Sequence, residues 1–390
     1  MIMKKLLFLV SLLYATSSIA QYIQLTENAQ VSIITVEPGK NLYDAFGHSA
    51  YRVKDHVLGI DQAYNYGMYN FNKPNFYLNF AKGKLEYELG SYPFTYFLRN
   101  YVEENRSVTE QILNISQLQK QQFFEFLENN AKPENKTYLY DFLYDNCATK
   151  LPEVSHNILQ DKMLLNYEYA EGKDYTFRDL IHQYLDNHPW GSFGIDLALG
   201  SVIDKKATPK EYTFLPDYVL KAYEKATIKV DDEQAPLVFK TNQLFISKPK
   251  QNESSFLTPF ILFSLLALLV TWITFNDLKK KRRSKWLDFS LFFFTGTLGL
   301  LITLLWFATD HTATAKNYNV FWAFAPNMIV AFLLLKNTIK PWLKNYFLLL
   351  ILLLVLVIVL WIFKIQVFAV GVLPILLLLG VRYWYLYKIS

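Results

Sequence analysis

The sequence has only one cysteine, Cys147, among its 390 residues. An internal disulfide is therefore excluded, and the thiol is either a buried packing residue or one kept for its reactivity. The chain also lacks the HExxH, CxxC and GxSxG patterns, a P-loop and a dinucleotide-binding fingerprint. Its histidines and aspartates are scattered without metal-ligand spacing, so we expect neither a metal nor any other cofactor.

Charged residues are scarce, at 19% of the chain against about 25% in soluble domains, while 52% of the residues are hydrophobic. The net charge of +5 is divided unevenly. Residues 21–253 hold 24 Lys and Arg against 31 Asp and Glu, a net of −7, and the rest holds 15 against 3, a net of +12. We expect no binding to nucleic acid, because the acidic part has no basic face to neutralise phosphates.

Residues 1–20 have the features of a secretory signal peptide. Two lysines precede a short apolar run, and Ser18-Ile19-Ala20 places small residues before a cut at Gln21. The alternative is an uncleaved anchor, but the apolar run is shorter than the ~17–25 residues that span a bilayer.

Five apolar stretches dominate the second half, and each is long enough for one helical crossing. They lie at about 256–275, 286–308, 318–335, 346–363 and 366–384. The loops after the first and third stretches and the C-terminus hold eleven Lys and Arg, whereas the alternate loops hold only Lys316 and Lys364. This asymmetry predicts that the C-terminus is cytoplasmic and that residues 21–250 lie outside the cytoplasm.

Residues 21–250 can bury a core of their own, and their patterns mix strands with helices. Alternating or aromatic segments predict strands at 49–54, 63–71, 84–91 and 108–115. Ser116 and Gln119 form a capping-box pattern that begins a helix ending near Asn130. Further helices are predicted at 176–187 and 216–226. Residues 231–253 are charged and contain proline, which predicts a linker to the membrane.

Cys147 is predicted to begin a short helix that Asn146 caps and Pro152 bends or limits. A helix N-terminus lowers the pKa of a thiol and can hold an oxyanion, although a packed core cysteine is an equal alternative. His48 follows a glycine at the start of an alternating strand, from which an imidazole can reach a thiol. A lone histidine is nevertheless more often structural. The outer loop, residues 310–319, contains Asp310 and His311. These two residues either contact lipid head groups or are ordinary loop residues.

Several separate blocks resemble the Lnb lipoprotein N-acyltransferase family of Bacteroidetes. In the first half they are residues 46–53 (FGHSAYRV), 64–67 (YNYG), 106–111 (RSVTEQ) and 140–149 (YDFLYDNCAT). In the second half they are residues 310–319, followed by Phe321-Trp322 and Pro326. The resemblance therefore spans nearly the whole chain.

This resemblance implies an α+β domain with a permuted papain-like core, similar to NlpC/P60 and LRAT proteins, followed by an all-α bundle of five transmembrane helices. It implies that Cys147 is a nucleophile and His48 its base, with Asn65 and Asp61 as candidates for the third, orienting residue. The candidates for substrate binding are Asp310, His311, Asn317, Asn319, Tyr66, Arg52 and Asn146.

The implied reaction moves an acyl chain from a glycerophospholipid, through a thioester on Cys147, to the N-terminal amine of a diacylglyceryl-cysteine lipoprotein at the bacterial inner membrane. The expected partners are the phospholipid acyl donor, lipoprotein acceptors and the lipid bilayer. Two other classes remain open. One is a cysteine hydrolase of cell-wall peptides or lipids, which shares the core but has no need of five membrane helices. The other is a membrane scaffold with an inert thiol.

Overall fold

The computed structural model describes residues 23–249 and 256–390, so the predicted signal peptide lies outside the described residues. A mixed α/β domain comes first, and a helical membrane region follows it. This order of fold classes is the one that the resemblance implies, and the structure confirms it.

The first domain is built on a seven-stranded antiparallel sheet with the spatial order β10-β5-β1-β2-β3-β4-β6. A three-stranded sheet of β7, β8 and β9 lies apart from it. The strands are β1 (Gln30–Val36), β2 (His48–Asp55), β3 (Ile60–Met68), β4 (Glu86–Pro93), β5 (Val108–Leu113), β6 (Thr137–Leu139), β7 (Met163–Leu164), β8 (Thr227–Val230), β9 (Glu233–Pro236) and β10 (Val238–Phe245).

Seven helices belong to the described part of the first domain and five to that of the membrane region. The first seven are α1 (Phe76–Ala81), α2 (Phe94–Glu103), α3 (Gln117–Asn130), α4 (Cys147–Leu159), α5 (Phe177–His182), α6 (Pro189–Ala198) and α7 (Pro216–Glu224). The other five are α8 (Pro259–Lys279), α9 (Lys285–Phe307), α10 (Asn327–Leu334), α11 (Trp342–Ile362) and α12 (Val372–Ile389).

Helices cover both faces of the large sheet. On one face, the hydroxyls of Tyr51 from β2 and Tyr223 from α7 both donate to the carbonyl of Leu151 in α4, at 2.5 and 3.3 Å. On the other face, Phe94 and Phe97 of α2 are buried in an apolar cluster against the sheet. The two tyrosine bonds fix the position of α4 along β2, which decides where the first residue of this helix, Cys147, lies.

Most predicted elements of the first domain are confirmed, with shifted bounds. The Ser116 hydroxyl accepts a bond from the Gln119 amide, and the Gln119 side chain accepts one from the Ser116 amide, as a capping box requires. The helix predicted at 176–187 is shorter, because α5 ends at His182. Pro152 lies inside α4 without ending it, since the helix continues to Leu159.

The prediction of a linker at residues 231–253 is wrong for much of its length. β9 and β10 form within it, and β10 is the edge strand beside β5. Most side chains of β10 are exposed or half-buried, so the strand carries polar residues and lacks the alternation of a half-buried strand. Composition alone therefore could not separate this edge strand from a linker.

The described residues contain four helices long and apolar enough to cross a membrane, namely α8, α9, α11 and α12. The third predicted crossing, at 318–335, is not one continuous helix. It consists of a 3-10 turn at Tyr318–Phe321 and the eight-residue helix α10. Eight residues rise only ~12 Å at ~1.5 Å each, against a hydrocarbon core of ~30 Å.

Two sequence features account for this break. Pro326 has no amide hydrogen and disfavours a helical residue before it, so α10 begins only after it. Two glycines of α9 also let the irregular backbone come very close. A Cβ at Gly296 would lie 2.0 Å from the Met328 amide nitrogen, and one at Gly299 would lie 1.8 Å from the Ala323 carbonyl oxygen. The non-helical stretch is therefore packed against protein.

The two parts of the chain are joined by backbone contacts at the outer loop. The Gly200 amide donates to the Ala313 carbonyl at 2.9 Å, and the Asn317 side chain donates to the Leu197 carbonyl at 2.8 Å. A Cβ on Gly200 would lie 1.9 Å from the Ala315 carbonyl oxygen. The approach is close enough to require glycine, so the end of α6 and the outer loop form a fixed junction.

At the other end of the membrane region, a fully buried ion cluster joins three helices. Arg382 of α12 binds Asp277 of α8 at 2.9 Å and Asp288 of α9 at 2.6 Å, and all three side chains are 0% exposed. Arg382 is one of the eleven positive charges that predict a cytoplasmic C-terminus. The structure instead pairs it with two carboxylates.

Replacing Arg382 with Ala should strongly destabilise the membrane region, because two buried carboxylates would lose their shared cation. Breaking a buried ion pair from one side costs about 3–5 kcal/mol. Thermal unfolding of the full chain in detergent should show a clearly lower midpoint. The matched control is Lys388→Ala, an exposed cation of the same helix, which should leave the midpoint nearly unchanged. Equal midpoints for the two variants would show that the buried ion cluster does not stabilise the membrane region.

Candidate active site

Cys147 is the first residue of α4, and Asn146 is its N-cap, as predicted. The Asn146 side-chain oxygen accepts bonds from the amides of Ala148 and Thr149, at 2.7 and 2.9 Å. Its side-chain nitrogen donates to the carbonyls of Phe142 and Phe214, at 2.6 and 2.9 Å. These four bonds fix the first turn of the helix to two other segments, so the partly exposed thiol has a defined position.

His48 is the first residue of β2, where it pairs with the last residue of β1, Val36. The preceding Gly47 has a φ of +80°, and a Cβ there would lie 2.7 Å from the Val36 carbonyl oxygen. Only glycine accepts both conditions. The sequence Gly-His therefore turns the chain sharply into the strand and leaves the imidazole at the end of the sheet that faces Cys147.

The third member of the group is Asn65 on the neighbouring strand β3. Its side-chain oxygen lies 2.5 Å from Nε2 of His48, and its side-chain nitrogen donates to the Tyr92 hydroxyl at 2.8 Å. Because a carbonyl oxygen only accepts, Nε2 carries the hydrogen, and Nδ1 is left for the hydrogen bond with Cys147. This tautomer is the one in which the imidazole can take a proton from the thiol.

The electrostatics of the pair favour thiolate and imidazolium. Burial alone would raise the pKa of the Cys147 thiol. The charge and hydrogen bond of His48, together with backbone amides of Ser49 and Ala148, outweigh burial and lower that pKa. Burial alone would lower the pKa of His48, but Cys147 and Asn65 outweigh it and raise that pKa. These surroundings favour the thiolate, which is the nucleophilic form of a cysteine.

A distortion of β3 makes room for this arrangement. The register between β3 and β4 shifts between Asn65 and Met68, and Gly67 there has a φ of +92°. A Cβ on Gly67 would lie 3.7 Å from Cβ of Cys147 and 3.8 Å from Cε1 of His48. The irregular residue thus brings bare backbone against the reacting pair, as bulges beside active sites commonly do.

An open cleft of about 540 Å³ begins at His48, and its walls are mostly aromatic. Phe97 and Tyr101 of α2 flank the imidazole, with ring centroids at 6.4 and 6.1 Å. The outer part of the cleft is formed by exposed aromatic residues that come largely from α1 and the segment before it. Those residues are Tyr43, Tyr69, Phe71, Tyr77 and Phe80. The cleft leads from His48 to a surface patch of exposed aromatic residues.

The other candidate for the orienting residue, Asp61, does not fit that role. Its carboxylate binds Arg52 through two bonds of 2.7 and 2.8 Å. It lies four residues from Asn65 on β3, which is ~13 Å at ~3.3 Å per residue. Arg52 also binds Glu110 and stacks over Phe94, so the predicted substrate-binding role of Arg52 does not fit these contacts either.

Four further residues predicted to bind substrate make internal contacts instead. Tyr66 is buried and its hydroxyl donates to Asn130 at 2.6 Å, and Asn146 is the helix cap described above. Asn317 and Asn319 are 0% exposed. They donate to carbonyls at the end of α6, including that of Asp196. Their polar groups position the outer loop and have no exposed surface for a ligand.

Asp310 and His311 lie at the junction, close to α1. The Asp310 amide donates to the Lys82 carbonyl at 2.8 Å, and Nε2 of His311 lies 3.1 Å from the Phe80 carbonyl. Both residues line an apolar cavity between the two parts of the chain. They are near the site but do not touch the His48–Cys147 pair.

Sequence reasoning missed the tyrosines around the thiol. Tyr87, Tyr101, Tyr138 and Tyr140 all have a raised pKa, first because they are buried and further because the charge of Cys147 lies nearby. For Tyr87 the pKa rises to about 12. Two of them, Tyr138 and Tyr140, lie in an aromatic run at residues 138–144. Such a run predicts a strand as readily as a functional site.

Alkylation of the single thiol should reveal the ion pair without any substrate. The rate for the wild type should stay high as the pH falls below the ordinary thiol pKa, and should be lost only as the pH falls through the lowered value. At pH 7 an ordinary thiol, with a pKa of ~8.5, is only a few per cent ionised. His48→Ala should therefore react roughly tenfold more slowly there.

His156→Ala is the matched control for this experiment, because His156 is an exposed histidine on the same helix. It should keep the wild-type pH profile. A wild-type profile that follows an ordinary thiol would show that His48 does not activate Cys147.

Two family models match this chain in the order that its architecture displays. The Lnb N-terminal periplasmic domain matches residues 19–183, and the Lnb transmembrane domain matches residues 251–390. Together they cover more than three quarters of the chain. No curated protein and no solved structure matches it. With its apolar helices and its periplasmic-type domain, the chain is a multi-pass membrane protein that belongs to the Lnb family.

Proposed function

We propose that this protein is a lipoprotein N-acyltransferase of the bacterial inner membrane, with its active site on the periplasmic side. It transfers an acyl chain from a glycerophospholipid to the N-terminal amine of a diacylglyceryl-cysteine lipoprotein, through a thioester on Cys147. The observation that carries the proposal is the Cys147–His48–Asn65 group at the end of the sheet, which opens into an aromatic cleft on the side of the outer loop.

In the first half-reaction, the Cys147 thiolate attacks the carbonyl carbon of the phospholipid ester. The carbon–sulfur bond forms, the carbon–oxygen bond breaks, and the imidazolium of His48 gives its Nδ1 proton to the departing lysophospholipid oxygen. Asn65 holds the Nε2–H, so the ring keeps its orientation while the proton moves. The products are a thioester on Cys147 and a lysophospholipid.

The first turn of α4 supplies a donor for the tetrahedral oxyanion. Among the first four amides of this helix, those of Ala148 and Thr149 are bound by the Asn146 side chain, and that of Lys150 by the Asn146 carbonyl. The amide of Cys147 itself is the one that remains. It lies beside the reacting carbon and at the positive end of the helix dipole.

In the second half-reaction, the neutral α-amine of the lipoprotein attacks the thioester carbon. An α-amine has a pKa of ~7.7–8.0, so a useful fraction is neutral at pH 7. His48 takes the amine proton, the carbon–nitrogen bond forms, and the Cys147 thiolate leaves. No cofactor is needed, because the thioester retains the reactivity of the ester that formed it.

The same three groups cleave peptide bonds in papain-like proteases, so the triad alone does not select a lipid substrate. Two observations support lipid over cell-wall peptide. The wall of the cleft is aromatic, with exposed apolar residues at its mouth, including Tyr43 at 84% and Tyr77 at 75% exposure. The adjoining helix α1 is also bonded to the outer loop of the membrane region. Both features support a lipid ester as the substrate of this cleft.

Cys147→Ala should reduce N-acylation to background, because the chain has no second thiol. The measurement is mass spectrometry of a model lipoprotein N-terminus after incubation with full-length protein in phospholipid vesicles. With wild-type protein an amide-linked acyl chain should appear on the lipoprotein. Release of free fatty acid without acylation of the amine would indicate a hydrolase, and acylation by the variant would exclude the covalent mechanism.

Asn65→Ala should slow formation of the Cys147 thioester roughly tenfold or more, because the imidazole would lose its orienting partner. The matched variant is Asp61→Asn, on the same strand, which should leave the rate nearly unchanged. Both rates are measured by following the acylated Cys147 peptide from a phospholipid donor. A loss confined to Asp61→Asn would assign the orienting role to the other residue.

A further inference from the structure

A second cavity, of about 290 Å³, lies between the first domain and the membrane region. Its walls are largely apolar side chains of the first domain, among them Phe142, Ile195 and Leu199. The outer loop forms one side of it, with Ala313 packed against the same apolar cluster. Neither the aromatic cleft nor the triad is part of this cavity.

The polar groups at its edge are occupied by other bonds. The Asp141 carboxylate accepts bonds from the amides of Leu143 and Tyr144 and, at 2.5 Å, from the Thr312 hydroxyl. His311 is turned to the Phe80 carbonyl. The carboxylate of Asp310, an exposed residue at the edge, is the exception. The remaining walls are largely apolar, so the cavity accepts an apolar guest.

Two wall residues of this cavity, Asp141 and Phe142, belong to the loop that leads into α4. Asp141 and Asp145 exchange two backbone bonds, of 3.0 and 2.9 Å, and Cys147 follows two residues later. The Phe142 carbonyl is held by the side chain of Asn146, the cap of α4. The wall residues and the nucleophile therefore belong to one tightly bonded loop and helix start.

One pair of rings separates the two spaces. Tyr140 lines the apolar cavity and Tyr87 lines the cleft at His48, and their rings stack at 4.3 Å. The charge of Cys147 reaches Tyr140, because it adds to burial in raising the pKa of that hydroxyl.

We propose that the cavity holds the hydrocarbon chain carried by Cys147, and that its size selects which chain the enzyme transfers. This inference rests on the proposed function and adds the place where the donor chain is kept between the two half-reactions. The aromatic cleft is then left for the departing lysophospholipid and the arriving lipoprotein. The occupant is an acyl chain of a phospholipid, since the walls are largely apolar, two wall residues belong to the loop that leads into α4, and the outer loop of the membrane region forms one side of the cavity.

Two substitutions of opposite sense test the role in selection. Ala313→Phe reduces the cavity and should shift the thioester on Cys147 toward shorter chains, when a mixture of phosphatidylethanolamines with short and long saturated chains is offered. Leu199→Ala enlarges it and should shift the thioester toward longer chains, by several-fold in the ratio of the two acyl peptides. General damage to the fold would lower both products alike and could not give opposite shifts. Ala81→Phe, at an exposed position outside the cavity, should leave the ratio unchanged.

A photolabelling experiment separates this inference from the proposed reaction. Full-length Cys147→Ala in lipid nanodiscs is irradiated with a phosphatidylethanolamine that carries a diazirine on its acyl chain. Labels should appear on α6 and on the peptide with Ala313, and Ala313→Phe should reduce them several-fold while labels on the outer faces of α8 to α12 remain.

Labels confined to the aromatic cleft and the membrane helices, or an unchanged chain ratio in both cavity variants, would overturn the acyl-chain site even if the wild type forms the thioester. Absence of a thioester in the wild type, with labels in the cavity, would instead reject the proposed reaction and leave the cavity as a binding site for a phospholipid acyl chain.

Discussion

The cap of α4 is the interaction on which the rest of the site depends. Asn146 uses both atoms of its amide, and so binds the start of the helix to Phe142 on one side and Phe214 on the other. Without these bonds the first turn would be free to fray, since the first amides of any helix lack internal partners. His48 and Asn65 come from adjacent strands of a rigid sheet, so their positions matter only if the thiol is held equally firmly. The cap holds the thiol in a fixed position relative to these strands.

The junction of the two parts also depends on a few hydrogen bonds that hold two segments in place. The end of α6 offers the outer loop backbone carbonyls, which the buried side chains of Asn317 and Asn319 bind. A glycine at position 200 allows the backbones to touch. The junction thus places the end of the sheet that faces the thiol beside the membrane region. In the proposed reaction both substrates are lipids, so this placement is as much a part of the active site as the imidazole.

The sequence supports the broad architecture because its signals are strong and local. Apolar stretches and basic loops indicate the membrane region, and the Ser116 capping box indicates α3. The third catalytic candidate could not be selected in this way. Asn65 and Asp61 lie on one strand and, four residues apart, on the same face, so only the register with β2 and the bulge near Gly67 separates them. Register depends on pairing between distant segments, which composition does not record.

The roles of buried polar residues were equally hidden. Asn317 occurs in a polar outer loop that resembles a ligand site, yet its partner lies 120 residues earlier in the chain. The sequence does not distinguish a side chain that hydrogen-bonds to a carbonyl of another segment from one that binds a substrate. The broken third crossing has the same cause, since the glycines of α9 and the carbonyls of α6 stabilise an irregular backbone that hydropathy alone reads as one helix.

The edge strand β10 has a consequence for the order in which the protein is assembled. It pairs with β5, more than a hundred residues earlier, and the first membrane helix begins shortly after it. The large sheet is therefore incomplete until almost the whole first domain has crossed the membrane, and such non-local pairing is intrinsically slow. The last strand of the sheet is therefore synthesised shortly before α8. A chain that ends before β10 lacks the strand that covers β5, so its sheet ends in an unprotected edge that can pair with other unfolded chains.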